Sequence, residues 1–133
     1  MNKQGLYELA YNLINHKKLR QFGTAGHVSC ALKTVKGNIF TGICIDLPCS
    51  IGLCAEQSAI AEMVKNNETA IEKIVAVYED GSILPPCGRC REFISQLDDR
   101  NIKTKIILPG PKEVLLQDLL PEKWDSKKKK KNL

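Results

Sequence analysis

Cysteine spacing is the feature that most constrains how this chain can fold. The run Cys54-Ala-Glu56 is followed, well downstream, by Pro86-Cys-Gly-Arg-Cys90. A Cys-x-x-Cys step in the first turn of a helix places two sulfurs close enough to share one tetrahedral zinc ion, and the free backbone N–H groups there favour thiolates. Cys54, near the start of another helix, can supply a third sulfur. We therefore expect the fold to bring two helix starts, at Cys54 and Cys87, together around one metal ion.

A site of this kind keeps one position open. Three protein ligands leave the fourth corner of a tetrahedral zinc for water, which is the arrangement of a catalytic rather than a structural centre. Such water loses a proton near neutral pH, and Glu56 is the candidate for moving that proton. Arg89 is a candidate for donating hydrogen bonds to the neighbouring sulfurs. The ordinary alternatives are a first-turn glutamate favoured by the helix dipole and a solvated surface arginine.

The charge of the chain is concentrated at its end. A length of 133 residues suits one domain, and the formal net charge of +5 is matched by the lysine run 127–131 alone. The rest of the chain is formally neutral and only 5% aromatic, so we expect no nucleic-acid partner. We expect a single domain over residues 1–125 and a lysine-rich, disordered tail over residues 126–133.

Hydrophobic periodicity predicts alternating helices and strands. Helical segments are expected at residues 2–18, 54–65, 87–97 and 117–120. Strands are expected at residues 28–35, 39–45, 71–78, 103–108 and 113–116. The first two strands are joined by Lys36-Gly-Asn38, a turn-prone link that indicates a hairpin. The order predicts an α/β fold with three α/β/α layers and a mixed sheet of about five strands.

The remaining cysteines leave one alternative open. No stretch resembles a signal peptide or a membrane span, so we expect a cytoplasmic protein without membrane partners, in which cysteines remain reduced. Cys30 and Cys44 alternate with apolar strand residues, which predicts buried thiols. Cys49 lies just upstream of Cys54, and a fourth sulfur from it would make the centre a structural zinc module. A Cys-x-x-Cys redox site would leave the Cys-Ala-Glu run unexplained.

The pairing of C-A-E with P-C-x-x-C resembles the zinc-dependent cytidine deaminase superfamily. The resemblance covers nearly the whole chain, because 28–32, 37–42, the PCGRCRE run and 119–121 fall in the expected order. Cysteine as first ligand is similar to the free-nucleoside branch, the cytidine and blasticidin-S deaminases. The resemblance implies hydrolytic deamination of cytidine or deoxycytidine with Zn²⁺, with a blasticidin-like analogue as second choice. A nucleic-acid editing deaminase fits the neutral, aromatic-poor body least well.

The resemblance also implies where substrate binds. Family members carry an Asn-x-Glu pair that grips the ribose, and Cys44 and Asp46 stand at the matching positions. Asp46 can still accept a hydroxyl hydrogen bond, whereas a thiol cannot replace an amide. Ala55 and Trp124 complete the implied substrate contacts, with Trp124 reaching either its own subunit or a neighbour in a homotetramer. His27 could contact the substrate, but a solvent-facing edge histidine is the expectation that ordinary burial tendencies favour.

Overall fold

Over residues 1–125, the three-layer architecture is built from four α-helices and one sheet. A computed structural model describes residues 1–125, and the lysine-rich tail predicted for 126–133 lies outside the described residues. The helices are α1 (Lys3–Asn12), α2 (Ala55–Lys65), α3 (Gly88–Leu97) and α4 (Leu116–Leu119), and a 3-10 helix spans Asp99–Lys103. Within this part of the chain no helix has the length and apolar character needed to cross a membrane.

The sheet is mixed, as the sequence predicts. Its strands are β1 (Lys17–Lys18), β2 (Thr24–Thr34), β3 (Ile39–Asp46), β4 (Gly52–Leu53), β5 (Ile71–Tyr78), β6 (Lys105–Leu108) and β7 (Lys112–Leu115). The order is β4-β3-β2-β5-β6-β7, with β1 paired to β2. The expected hairpin is present as β2 and β3, and all neighbours are antiparallel except β5 and β6. The parallel pair requires a crossover, which contains α3.

Helices cover both faces of the sheet because the central strands are buried on both sides. On one face, Leu6 and Ala10 of α1 pack against Ala31, Val75 and Val77. On the other face, buried residues of α2, α3 and α4 pack against the alternate side chains of the same strands, among them Cys30, Leu32, Ile60, Met63, Ile94 and Leu116. This alternation confirms the α/β/α prediction.

Two elements differ from the sequence prediction. The first helix ends at Asn12 rather than near residue 18, because the following chain turns to pair with β2: the Asn15 N–H donates to Gly26 O over 3.0 Å. Within residues 1–125 the sheet has seven strands rather than about five, the additional ones being β1 and β4. Each of these strands has only two residues, too few for an alternating pattern to show in the sequence.

Gly42 determines how closely α2 approaches the sheet. A Cβ built on this β3 residue would lie 2.7 Å from the carbonyl oxygen of Ala55 and still closer to the backbone nitrogen of Ala59. Real side chains do not sit this close to backbone atoms, so the helix and the strand are in contact through their main chains. The first turn of α2, which begins after Cys54, is thereby pressed against β3.

Gly42→Ala is expected to lower the free energy of unfolding by about 2–3 kcal/mol, because overpacking against backbone cannot be relieved by a rotamer change. Denaturant titration measures this change. The matched control is Gly88→Ala, since a Cβ at that helical position meets nothing within 4 Å. The control should leave stability unchanged or raise it by about 0.5–1 kcal/mol. Equal stability of Gly42→Ala and the unmodified chain would contradict the close contact.

Candidate metal centre and adjoining cavity

Three cysteines from distant parts of the sequence converge at two helix starts. The sulfur atoms of Cys54, Cys87 and Cys90 all lie within 4.8 Å of one another. Cys54 is the N-cap of α2 and Cys87 the N-cap of α3, while Cys90 lies in the first turn of α3. The backbone N–H of Cys54 donates to Gln57 Oε1 over 3.4 Å, which helps to fix the α2 start. The structure thus brings together the three residues expected from the motif.

The electrostatics of this cluster favour a bound cation. Burial raises the pKa of Cys54 and Cys90, and the charge of Glu56 raises both further. Burial also acts to raise the pKa of Cys87, but hydrogen bonds from Cys90 and from the Arg89 backbone outweigh it and lower the pKa overall. Three thiolates this close repel one another, and a cation among them removes the repulsion. A soft three-sulfur donor set with an open fourth position fits zinc.

Cys49 is not part of this cluster. It lies in the turn between β3 and β4, where Leu47 N–H donates to Ile51 O over 2.8 Å. The turn places Cys49 and Ser50 at φ values of 65° and 59°, and the Cys49 side chain is exposed. Among the described residues, the sulfurs that lie together are those of the other three cysteines. The geometry therefore favours an open three-sulfur centre over a four-sulfur structural module.

Glu56 lies beside the cysteine cluster in the first turn of α2. The residue is 7% exposed, and burial raises the pKa of its carboxyl, while its own backbone N–H acts in the opposite direction. Glu56 and the three cysteines line one cavity of about 400 Å³, to which Ala55 also contributes. That volume suits a small-molecule ligand. A buried carboxyl next to a metal centre in such a cavity is placed to exchange protons with a bound molecule.

A second polar group lines the same cavity. His27 Nε2 lies 2.8 Å from Asp46 Oδ2, and Cys44 Sγ lies 3.4 Å from each nitrogen of the His27 ring. The prediction of a solvent-facing His27 is wrong, because its side chain is only 17% exposed. The reason is an irregularity in β2 between Ala25 and Ser29, where three residues stand opposite one residue of β3. Bulges of this kind redirect side chains.

This second group is close enough to be considered as a metal site, since donor atoms of His27, Cys44 and Asp46 lie within 4.8 Å of one another. Its geometry argues otherwise. His27 Nε2 lies only 2.8 Å from Asp46 Oδ2, which is a direct hydrogen-bond distance and is too short for two donor atoms that share a tetrahedral metal ion. The Cys44 sulfur instead accepts a hydrogen bond from the Val28 N–H over 3.3 Å. The three-cysteine cluster is therefore the better candidate for zinc.

Of the two remaining predicted site residues, Arg89 and Trp124, Arg89 is the one that lines the cavity. Its positive charge lowers the pKa of Cys54, although burial of that thiol has the larger, opposite effect. Trp124 is not among the residues that line the cavity. Its indole N–H donates to Glu92 Oε2 over 2.8 Å, and 64% of the residue is exposed.

Arg91 is a residue whose role the sequence analysis missed. Its guanidinium donates to Pro86 O over 2.8 Å and to Leu119 O over 3.2 Å. These bonds tie the loop before Cys87 to the end of α4. The second arginine of the PCGRCR run was the available signal, but its partner at Leu119 is 28 residues away in sequence. Arg91 therefore helps to fix the loop that leads into Cys87.

Helices on both faces of a mixed sheet, with three thiols and a buried glutamate at two helix starts, define the class of zinc-dependent deaminases. Comparison with known families agrees: the model of the cytidine and deoxycytidylate deaminase zinc-binding region matches residues 2–106. The chain belongs to this family.

Relatives in the same family carry two names. A cytidine deaminase of Shewanella halifaxensis is 38% identical over 98 residues, which cover 71% of this chain and 31% of the relative. A blasticidin-S deaminase of Bacillus cereus is 36% identical over 78 residues, covering 52% of this chain and 56% of the relative. The chain thus spans about a third of the length of the curated cytidine deaminases it matches.

Solved structures share the fold over nearly the full length. The cytidine deaminase of Mycobacterium leprae is 24% identical with a TM-score of 0.76, covering 92% of this chain and 99% of that structure. The Mycobacterium tuberculosis enzyme is 22% identical with a TM-score of 0.78, covering 95% and 99%. At this level of identity the likeness establishes the α/β/α architecture.

Proposed function

We propose that this protein is a zinc-dependent hydrolase that deaminates a free aminopyrimidine nucleoside, cytidine or deoxycytidine, and releases ammonia. The observation that carries the proposal is the placement of Glu56, buried beside three converging thiols on the wall of one cavity. Family membership supports the same chemistry, as do the relatives named cytidine deaminase.

The reaction adds water to the pyrimidine and removes its amine. Cys54, Cys87 and Cys90 would hold the zinc ion, which would supply Lewis-acid activation of the water. The water oxygen bonds to the ring carbon that carries the amine, and Glu56 takes one proton and delivers it to the adjacent ring nitrogen. Glu56 then passes the second proton to the exocyclic nitrogen, the C–N bond breaks, and ammonia leaves a ring carbonyl behind. Burial of Glu56 keeps these transfers away from bulk solvent.

A second candidate substrate is a cytosine nucleoside analogue of the blasticidin S type. Two observations favour it. Cys44 and Asp46 stand where family cytidine deaminases carry their ribose-gripping pair, and both line the cavity. The Bacillus cereus relative named blasticidin-S deaminase is 36% identical over 78 residues. Cys44 and Asp46 do not take part in the reaction at the pyrimidine ring. They change the surroundings of the sugar, or of the group that replaces it in an analogue.

A substrate panel tests the proposal. The zinc-loaded protein is incubated with cytidine, deoxycytidine, blasticidin S, cytosine and deoxycytidine monophosphate, while ultraviolet absorbance and ammonia are followed. We expect the free nucleosides to be turned over most efficiently, because the carboxylate of Asp46 in the cavity wall disfavours an added phosphate. Preference for blasticidin S would establish the second candidate. Absence of ammonia from every compound would overturn both.

We further infer a cytoplasmic homotetramer. All six cysteines are free, which suits a reducing compartment. Phe22, Ile51 and Trp124 are 78%, 60% and 64% exposed, and burying these side chains in subunit contacts would be favourable. In such an assembly Trp124 would serve a neighbour's cavity rather than its own. The molar mass of the protein in solution, measured by sedimentation equilibrium, tests the tetramer. A mass smaller than that of four chains would contradict it.

A further inference from the structure

The imidazole of His27 is held in one orientation by three neighbours. Asp46 accepts from its Nε2 over 2.8 Å, and the Cys44 sulfur lies 3.4 Å from both ring nitrogens. The ring of His16, the chain's other histidine, lies 5.1 Å away centroid to centroid and is itself paired with Glu79 over 2.7 Å. A fixed imidazole presents its hydrogen-bonding atoms in defined directions, which is a requirement for specific recognition.

The backbone of β2 is shaped to put His27 there. Gly26 adopts a φ of 78°, and a Cβ at this position would collide with the carbonyl oxygen of Asn15. Only glycine combines a positive φ with the absence of a Cβ, so only glycine fits this position without strain. The bulge that follows turns His27 into the cavity wall opposite Cys44 on β3. The arrangement depends on one glycine and one bulge, neither of which is needed merely to continue the strand.

The pair combines a donor with an exposed acceptor. The His27 side chain is 17% exposed and the Asp46 side chain 62%, and both line the cavity that contains Glu56. An alcohol hydroxyl that inserts between Nε2 and the Asp46 carboxylate can accept from the ring N–H and donate to the carboxylate, so it satisfies both residues at once. A phosphate has no proton to offer at neutral pH and would be repelled by the carboxylate. The Cys44 thiol is only a weak hydrogen-bond donor, and its sulfur is already in contact with the His27 ring.

We propose that His27 is a specificity-determining residue, and that with Asp46 it forms the pair that binds the sugar hydroxyls of a pyrimidine nucleoside. The inference rests on the proposed function and deepens it, because it names how the altered ribose position is used. His16 is a packing neighbour that lies outside the cavity wall. His27 thereby replaces, from the neighbouring strand, the hydrogen-bonding amide that Cys44 lacks.

Kinetics with and without a sugar test the role of His27. For His27→Ala, kcat/KM for cytidine should fall by roughly tenfold to a hundredfold more than kcat/KM for 1-methylcytosine, mostly through KM, because the sugar loses its hydrogen bond to the imidazole and the Asp46 carboxylate loses the partner that orients it. His27→Gln should restore part of the difference, since an amide N–H can donate. Asp46→Asn should resemble His27→Ala. His16→Gln is the matched control and should change the ratio by less than about threefold.

Binding provides a readout that does not depend on turnover. Calorimetry should show that the zinc-loaded protein binds uridine more tightly than 1-methyluracil, and that His27→Ala removes this preference. Equal losses for the sugar-bearing and sugarless compounds, or no preference in the unmodified protein, would overturn the inference and assign His27 a structural role. A uridine preference without deamination of any cytosine compound would instead overturn the proposed function and leave the sugar-binding pair standing.

Discussion

Glu56→Gln is expected to retain its fold and its zinc while losing roughly 10²–10⁴-fold in kcat, the range that general acid–base groups contribute. The glutamine amide has nearly the same shape and occupies the same buried position in the first turn of α2. It cannot accept and return a proton, so both proton transfers lose their carrier. The carboxylate is not counted among the zinc ligands, and the metal content should therefore stay the same.

The measurement combines steady-state turnover of cytidine with zinc content and far-ultraviolet circular dichroism. The matched control is Glu62→Gln on the same helix, because Glu62 is exposed and pairs with Lys65 over 3.0 Å. This surface change should leave turnover within about twofold of the unmodified chain. If Glu56→Gln keeps more than about a tenth of the activity with full zinc occupancy, a different group must move the protons.

The main architecture was predictable because local signals agree with the final fold. The helix starting after Cys54 and the strand over residues 71–78 each carry a strong pattern of their own, and the structure places α2 and β5 there. The two-residue strands β1 and β4 have no pattern and exist only because β2 and β3 offer them an edge. The end of α1 at Asn12 likewise depends on pairing with Gly26, a contact that no local window contains.

The site residues also fall into those signalled by local sequence spacing and those that depend on contacts between distant segments. The convergence of the three cysteines beside Glu56 could be predicted because the motif spacing places them at two helix starts, with the carboxyl two residues after Cys54. The orientation of His27 could not be found this way, because it depends on a bulge, and a shift of one residue turns a strand side chain to the other face. Arg91 depends on a carbonyl at the end of α4.

Cys90→Ser is expected to abolish stoichiometric zinc binding, whereas Cys49→Ser is expected to retain it. Cys90 is 1% exposed, and its sulfur belongs to the converging cluster. A serine hydroxyl does not deprotonate readily enough to replace a thiolate. Loss of an outer partner of a ligand alone costs 10–100-fold in metal affinity, so loss of a ligand should cost about a hundredfold or more. Zinc per chain, measured by atomic emission after dialysis, gives the result.

The comparison of these two serine variants decides between the two kinds of zinc centre that the sequence leaves open. Cys49 is the matched control because it is a cysteine of the same chain, exposed in the β3–β4 turn and outside the cluster. If Cys49→Ser loses zinc as completely as Cys90→Ser, the metal has four sulfur ligands and no position for water. Glu56 would then have no reaction to serve. If only the cluster variant loses zinc, Cys49 is not a ligand, and the fourth position is left for water beside the buried carboxyl of Glu56.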